Sequence, residues 1–105
     1  MAKDKPKLFV NPEINPNGFI IIEATSYDFM DRCGFGIGSI ICDCCAEEQS
    51  DDELVYYVCV LNDVLCWECL KKWLSDNPTR YKEDISYEQR KYNEYAEELN
   101  LPILN

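Results

Sequence analysis

Histidine is absent from the 105-residue chain. Its absence excludes the Ser–His and Cys–His pairs of nucleophilic catalysis, the H-E-x-x-H zinc site and the His-Cys-Cys zinc site of nucleobase deaminases. No pair of acidic residues lies in a motif that would replace them as general acid and base. We therefore expect no enzymatic activity and assign no catalytic residue.

Basic residues are also scarce, with 10 Lys and Arg against 20 Asp and Glu, so the formal net charge is −10. Such a chain repels the phosphate backbone, and we do not expect it to bind nucleic acid. Between residues 42 and 74, Lys71 and Lys72 form the only adjacent basic pair. An acidic chain of this size associates fastest with a basic molecule, so the expected partner is a protein, and a basic one fits best.

Long apolar runs are missing as well, since no stretch approaches the roughly 20 residues that span a bilayer. The first residues carry no apolar run typical of a secretory signal. We therefore expect a cytoplasmic protein without a membrane partner. In a reducing compartment the seven cysteines are more suited to metal binding or burial than to disulfides.

Four of these cysteines have the spacing C-x2-C-x20-C-x2-C: Cys42, Cys45, Cys66 and Cys69. This spacing predicts one tetrahedral four-thiolate zinc site, because each two-residue gap lets both sulfurs of a pair face one ion. A small domain with a thin core gains stability from such a structural metal. Two alternatives stay open: Cys44 could replace Cys45 as a ligand, and iron could take the place of zinc.

The remaining sequence predicts short elements on both sides of this site. Residues 8–10 and 19–24 are strand-like and separated by turn formers, which indicates a hairpin or two edge strands. Thr25 or Ser26 could cap a short helix that ends at Gly34. The glycine-rich residues 34–39 lack the spacing of a phosphate-binding loop, so we expect close backbone packing there.

Residues 55–65 are rich in β-branched and aromatic side chains and predict a hairpin that turns at Asn62-Asp63. Cys59 would then lie in the middle of a strand, and we expect both it and Cys33 to be buried apolar residues. The second cysteine pair opens a helix whose first-turn N–H groups and dipole favour thiolates.

A final helix is predicted for residues 87–99, with Ser86 and Gln89 as a capping box. Its apolar positions follow helical spacing and form one stripe that we expect to pack on the same chain. The stripe consists of Tyr92, Tyr95, Ala96 and Leu99.

A turn carrying the first cysteine pair, then a hairpin, then a helix that begins with the second pair is the order of treble-clef zinc fingers. Residues 42–74 resemble that family, including the zinc-binding halves of LIM domains. The resemblance implies the same four cysteine ligands and implies that Trp67, Leu70 and Trp73 pack around the site. With one such unit and no histidine, a two-zinc LIM or RING arrangement is not expected. The overall layout is also similar to small proteins of bacteriophages and bacterial mobile elements.

The sequence thus predicts one α+β domain over residues 1–105. It would comprise an N-terminal strand region (1–41), a treble-clef-like zinc core (42–74), and a linker with a C-terminal helix packed on that core (75–105). The expected function is non-catalytic, zinc-stabilised binding of another protein. One alternative is an acidic inhibitor of phage type that mimics nucleic acid to block a nucleic-acid-binding protein; another is a nucleic-acid-binding zinc finger. We expect the acids between residues 42 and 54 to form a solvated surface rather than a docking patch.

Overall fold

The computed structural model describes residues 5–35 and 39–104 and contains helices and antiparallel sheets, which confirms the predicted α+β class. Residues 36–38, in the glycine-rich segment for which close backbone packing is expected, lie outside the described residues. The strands are Lys7–Leu8 (β1), Ile21–Thr25 (β2), Ile40–Ile41 (β3), Glu48–Gln49 (β4), Leu54–Val58 (β5) and Asp63–Leu65 (β6). The helices are Ser26–Cys33 (α1), Trp67–Ser75 (α2) and Ile85–Leu99 (α3), and a 3-10 turn, Lys82–Asp84, precedes α3.

The main sheet has the strand order β1-β2-β5-β6, and every neighbouring pair in it is antiparallel. Strands β3 and β4 form a separate two-stranded ribbon. Because successive side chains of a strand point to opposite faces, β5 sends Val55 and Tyr57 to one face and Tyr56 and Val58 to the other. The sheet therefore builds two hydrophobic clusters, one on each side.

We name these clusters the tyrosine face and the metal face. The tyrosine face consists of Ile22, Ala24, Phe29, Ile40, Val55, Tyr57, Cys59, Val64, Tyr92, Ala96 and Leu99. The metal face consists of Phe19, Ile21, Cys42, Tyr56, Val58, Leu65, Leu70 and Leu74. Helices α1 and α3 supply side chains to the tyrosine face, whereas α2 supplies side chains to the metal face.

Of the two N-terminal alternatives, the hairpin is confirmed, whereas the alternative of two edge strands is wrong. Strand β1 pairs with β2, but β2 also pairs with β5 and is therefore an inner strand. The predicted short helix is present as α1. Thr25 caps it, accepting a hydrogen bond from the Asp28 backbone N–H at 3.2 Å, and Gly34 ends it with a left-handed φ of 72°.

The hairpin between the cysteine pairs is present, but the predicted two-residue turn is wrong. Strand β5 ends at Val58, residues 59–62 form the turn, and Asp63 already belongs to β6. The backbone N–H of Asn62 donates to the Val58 carbonyl at 2.9 Å, and Asn62 has a φ of 56°, which asparagine tolerates better than most residues. Cys59 consequently lies in the turn rather than in a strand, although it is fully buried as expected.

Helix α3 begins two residues earlier than predicted, and the predicted capping box is wrong. The 3-10 turn leads directly into the helix, so Asp84 already has near-helical backbone angles and Ser86 lies inside the first turn. The predicted stripe packs on the same chain: Tyr92, Ala96 and Leu99 are buried in the tyrosine face, and Tyr95 packs against it.

A buried ion pair that the sequence did not predict joins α3 to the sheet. The Glu88 carboxylate is 1% exposed and accepts the backbone N–H of Ile20 at 2.9 Å. It also accepts hydrogen bonds from Arg80 Nε at 3.1 Å and Nη2 at 2.6 Å. This charge is therefore fully paired, which a buried carboxylate requires.

In the part of the chain that the structure describes, no helix has the length and apolar character to cross a membrane.

Candidate metal centre

The first cysteine pair lies in the turn between β3 and β4, which we call the knuckle (residues 42–46). The backbone N–H of Cys42 donates to the Glu47 carbonyl at 3.0 Å, and the N–H of Ala46 donates to the Cys42 carbonyl at 2.9 Å. Ala46 has a φ of 63°, a left-handed conformation that reverses the chain directly after Cys45. The knuckle thereby brings Cys42 and Cys45 to the same end of the ribbon.

The second pair lies at the start of α2. Strand β6 ends at Leu65, Cys66 is the N-cap residue with extended backbone angles, and Cys69 follows in the first helical turn. The positive end of the helix dipole and the free N–H groups of that turn favour negative charge at these sulfurs. The predicted placement of the second pair is therefore confirmed.

The structure brings together the four predicted ligands, Cys42, Cys45, Cys66 and Cys69, whose sulfur atoms all lie within 4.8 Å of one another. The Cys45 and Cys66 sulfurs are 3.9 Å apart. Four sulfurs at 2.3 Å from a tetrahedral zinc ion lie about 3.8 Å apart, so the donor type and the spacing both fit a metal ion. Among the described residues, no second group of three or more potential Cys or carboxylate ligands is assembled in this way.

The Cys42 sulfur is the most enclosed of the four and receives two backbone hydrogen bonds. The N–H groups of Cys44 and Cys66 approach it at 3.4 and 3.3 Å. Burial raises the pKa of Cys42, but polar contacts with the backbones of Cys45, Cys66 and Cys44 outweigh burial and lower the pKa to about 7. Such outer contacts orient a ligand and stabilise its thiolate.

The pKa values of Cys66 and Cys69 shift in the opposite direction, upward. Burial raises the pKa of Cys66, and the neighbouring Cys42 raises it further. Burial also raises the pKa of Cys69, together with contacts from the surrounding cysteine sulfurs, among them Cys44. Several thiolates this close repel one another, and a divalent cation removes that penalty; metal binding and thiol deprotonation are therefore coupled here.

Cys44 is the alternative ligand that the sequence left open. It is exposed and does not belong to the group of four sulfurs, although its side chain lies close enough to Cys69 to affect the pKa of that thiol. The geometry thus favours Cys45 as the fourth ligand and places Cys44 at the edge of the site.

Asp43 lies between the two cysteines of the first pair, where the sequence predicts only one of the solvated acids of residues 42–54. Its backbone N–H donates to the Val64 carbonyl at 2.9 Å, and its carboxylate Oδ2 accepts the Val64 N–H at 2.7 Å. These two bonds tie the knuckle to β6 just before Cys66. The signal in the sequence is the Asp between two cysteines, because a short acidic side chain readily accepts a nearby backbone N–H.

The metal face packs against the α2 side of the cluster, as the treble-clef resemblance implies. Leu70 is fully buried, and Trp67 and Trp73 are partly buried against the same cluster. Phe9 and Tyr56 contact the Trp67 ring with centroid distances of 5.8 and 5.5 Å. Aromatic packing therefore holds the start of α2, and with it the second cysteine pair, against the sheet.

The two remaining cysteines lie away from the cluster. Cys59 is buried in the tyrosine face, and Cys33 packs against it at the end of α1. Burial, followed by the nearby Glu98, raises the pKa of Cys33 to about 12, and burial also raises the pKa of Cys59. Both thiols are therefore neutral at physiological pH.

Comparison of the chain with protein-family models, with curated proteins and with solved structures gave no match. Its function has to be argued from the chemistry of the cluster and of the surface around it.

Proposed function

We propose that the protein is a non-catalytic, zinc-stabilised module that binds another protein in the cytoplasm. Cys42, Cys45, Cys66 and Cys69 would hold one structural zinc ion. The observation that supports this most directly is the group of four sulfurs within 4.8 Å of one another, drawn from two segments that are far apart in the sequence. A metal ion there links the knuckle to α2, which is the role of a scaffold.

A structural role fits the composition of the cluster. Four thiolates complete the tetrahedral shell of zinc and leave no position for water or substrate. The absence of histidine removes the usual proton-transfer partners from the whole chain. Binding rather than catalysis is therefore the activity that these residues support.

Charge supports a protein as the partner. Four thiolates and a divalent metal would add about −2 to the formal chain charge of −10. A surface this acidic is attracted to basic proteins and repelled by nucleic acid. The exposed Lys71, one of the two adjacent lysines on α2, already forms an ion pair with Glu68 at 3.5 Å, which weakens the case for a nucleic-acid-binding finger.

The metal can be tested by native mass spectrometry of the protein purified without added metal, before and after mild acid. We expect a mass excess of one zinc ion that disappears on unfolding, with all cysteines reduced. A bound iron ion would replace zinc in the proposal and keep the scaffold. A metal-free mass with paired thiols would contradict the scaffold itself.

Binding can be tested by cross-linking the zinc-loaded chain to proteins of the cells that contain it, purifying each captured protein and measuring its affinity separately. We expect at least one purified protein to form a stoichiometric complex with the zinc-loaded chain. If no captured protein binds once purified, the proposed function is wrong.

A second candidate function is inhibition of a nucleic-acid-binding protein by mimicry of phosphates. It is favoured by the carboxylates of residues 47–53, because in the described chain none of these forms an ion pair. A mimic should lose affinity for its partner steeply as salt rises and should be displaced by the partner's nucleic acid. Affinity that is unaffected by salt would exclude mimicry and leave the interaction module in place.

A further inference from the structure

An open groove of about 690 Å³ runs along the exposed side of the cysteine cluster. Cys45, Cys66 and Cys69 line one end of it, and Tyr56 and Trp67 contribute aromatic surface. The volume lies in the range that binds a large side chain or a small molecule. The sequence favours a plain solvated surface for the acids of this region; the structure adds a concave surface beside the metal centre.

Carboxylates surround this groove: Glu47, Asp52, Glu53 and Glu68 line it. Glu68 has Lys71 as an ion-pair partner, whereas Glu47, Asp52 and Glu53 form no ion pair within residues 5–35 and 39–104. Glu53 accepts the Ser50 backbone N–H at 2.7 Å, a bond that leaves its charge uncompensated. A metal bound by four thiolates at the end of the groove would add further negative charge.

Gln49 supplies a hydrogen-bond acceptor in the same groove. It also lines the groove and is only 6% exposed, so its amide is held in a fixed position. Its Nε2 donates to the Glu47 carbonyl at 2.9 Å, and its Oε1 has no hydrogen-bond partner among the described residues. Because this oxygen is not fully enclosed, it can accept a hydrogen bond from an N–H group of a ligand in the groove.

The protein already places one cation beside this aromatic and acidic surface. Lys71 Nζ lies 5.5 Å from the centroid of the Trp67 ring and 3.5 Å from Glu68 Oε2. The ammonium group is therefore held between an aromatic face and a carboxylate. Cations gain from both contacts, and guanidinium groups gain most from flat rings and paired acceptors.

We propose that this groove, bounded by Glu47, Asp52, Trp67 and the Gln49 amide, binds a lysine or arginine side chain in a basic segment of a partner protein. This inference rests on the proposed protein-binding function and names the surface and the chemistry that it would use. Charge complementarity selects the occupant. A second copy of this chain is disfavoured because each copy carries a formal charge of −10.

The first test measures fluorescence anisotropy of labelled, end-capped hexa-arginine with the zinc-loaded full chain at low salt. The rim variant is Glu47→Gln/Asp52→Asn, and the matched control is Glu97→Gln/Glu98→Gln, which removes the same charge from exposed positions of α3. We expect the rim variant to bind about tenfold more weakly and the control less than threefold more weakly. Native mass spectrometry of both variants verifies that the zinc is retained.

The Lys71→Ala substitution is predicted to strengthen, rather than weaken, the binding of hexa-arginine. This substitution removes the intramolecular cation that shares Trp67 and Glu68 with the groove. We expect the affinity for hexa-arginine to rise about threefold. A change of the same size in a Lys72→Ala control would show that the effect comes from net charge alone and would contradict the groove.

Three other outcomes would overturn the inference. Equal weakening by the rim variant and the α3 control would indicate diffuse attraction to the whole surface. No binding of hexa-arginine by the wild-type chain would also exclude the groove. If a partner protein identified by cross-linking binds the rim variant as well as the wild type, the groove proposal fails while the proposed protein-binding function survives.

Discussion

The elements that cover the two faces of the main sheet are held by different kinds of interaction. On the metal face, α2 and the knuckle are joined through four cysteine sulfurs that fit one metal ion. On the tyrosine face, α1 and α3 pack through apolar and tyrosine side chains, and the Glu88–Arg80 pair fixes α3 to the segment before β2. One face therefore carries a group of sulfurs that a metal ion could join, whereas the other is held by the chain's own contacts.

The two buried tyrosine hydroxyls of the tyrosine face have partners within the chain. The Tyr57 hydroxyl donates to Asn62 Oδ1 at 2.7 Å, and the Tyr92 hydroxyl donates to the Pro102 carbonyl at 2.6 Å. Hydroxyl partners let large tyrosine rings be buried without an unpaired donor. The comparison teaches that the sulfur group lies where the chain is short and irregular, as in the knuckle, whereas two helices cover the sheet on the tyrosine face.

The substitution with the largest predicted effect disrupts the metal face. Cys66→Ser removes one of the four thiolates, and structural zinc contributes on the order of 10 kcal/mol to the folding of small modules. We expect bound metal to be lost, and amide-exchange protection to be lost in α2 and in the β3–β4 ribbon before it is lost in α3. Hydrogen exchange with native mass spectrometry measures both. Retained metal and an unchanged melting transition would refute the structural role.

Cys59→Ala is the matched control, because it also removes a buried sulfur but from the tyrosine face. We expect metal content to be unchanged and the free energy of unfolding to fall by about 1–2 kcal/mol, the cost of a small cavity. Loss of metal in this variant would show that the ligand assignment is wrong.

The second prediction concerns a substitution that disrupts the packing of α3 on the tyrosine face. Glu88→Ala leaves Arg80 without its carboxylate and the Ile20 N–H without its acceptor, and removal of one partner of a buried ion pair costs about 3–5 kcal/mol. Urea denaturation of the zinc-loaded protein measures this loss. Glu94→Ala is the control on the same helix, because its exposed pair with Lys91 should contribute less than about 1 kcal/mol. Equal losses in both variants would contradict the role assigned to Glu88.

The third prediction concerns alkaline pH, where the tyrosine face should weaken. Burial raises the pKa of Cys59 above its ordinary value of 9.0. Below pH 9 both the folded and the unfolded chain keep the proton, so the free energy of unfolding does not depend on this thiol. As pH rises above 9, only the unfolded chain releases the proton, and stability falls by up to about 1.4 kcal/mol per pH unit.

Urea denaturation of the zinc-loaded protein at pH 8, 9 and 10 measures that slope. Cys33 contributes a similar slope, since its pKa is raised to about 12, first by burial. Cys59→Ala should therefore flatten the dependence without abolishing it. If the slope in Cys59→Ala equals the wild-type slope, the Cys59 thiol does not control this pH dependence.

The sequence predicts the metal centre better than it predicts the contacts that hold the rest together. Cysteine spacing is local and chemically specific, and it places Cys42 and Cys66 at the same site without knowledge of the fold. The apolar stripe of α3 can also be predicted from the sequence, because helical spacing fixes which side chains share a face. The ends of strands and helices are harder to predict from the sequence, as the turn at residues 59–62 shows. The backbone conformation there depends on hydrogen bonds that several residues can make.

The buried Glu88 illustrates what sequence patterns miss. In the sequence it is one acid among many on a charged helix, and nothing local distinguishes it from Glu94. Its burial depends on Arg80, on the Ile20 backbone and on the packing of α3, which come together only in the folded chain. The same holds for the Gln49 amide in the groove, since long-range packing decides which polar groups are enclosed.

The smallest predicted effect sharpens the comparison at two neighbouring residues, Thr25 at the end of β2 and Ser26 at the start of α1. Ser26 is fully buried, and its Oγ has no hydrogen-bond partner among the described residues, whereas Thr25 Oγ1 accepts the Asp28 N–H. We expect Ser26→Ala to stabilise the protein by up to about 1 kcal/mol, because it removes a buried unpaired hydroxyl. Thr25→Ala should destabilise it by about 1 kcal/mol through loss of the cap. Thermal unfolding of the zinc-loaded variants measures both, and destabilisation by Ser26→Ala of the size seen for Thr25→Ala would show that an ordered water satisfies the hydroxyl.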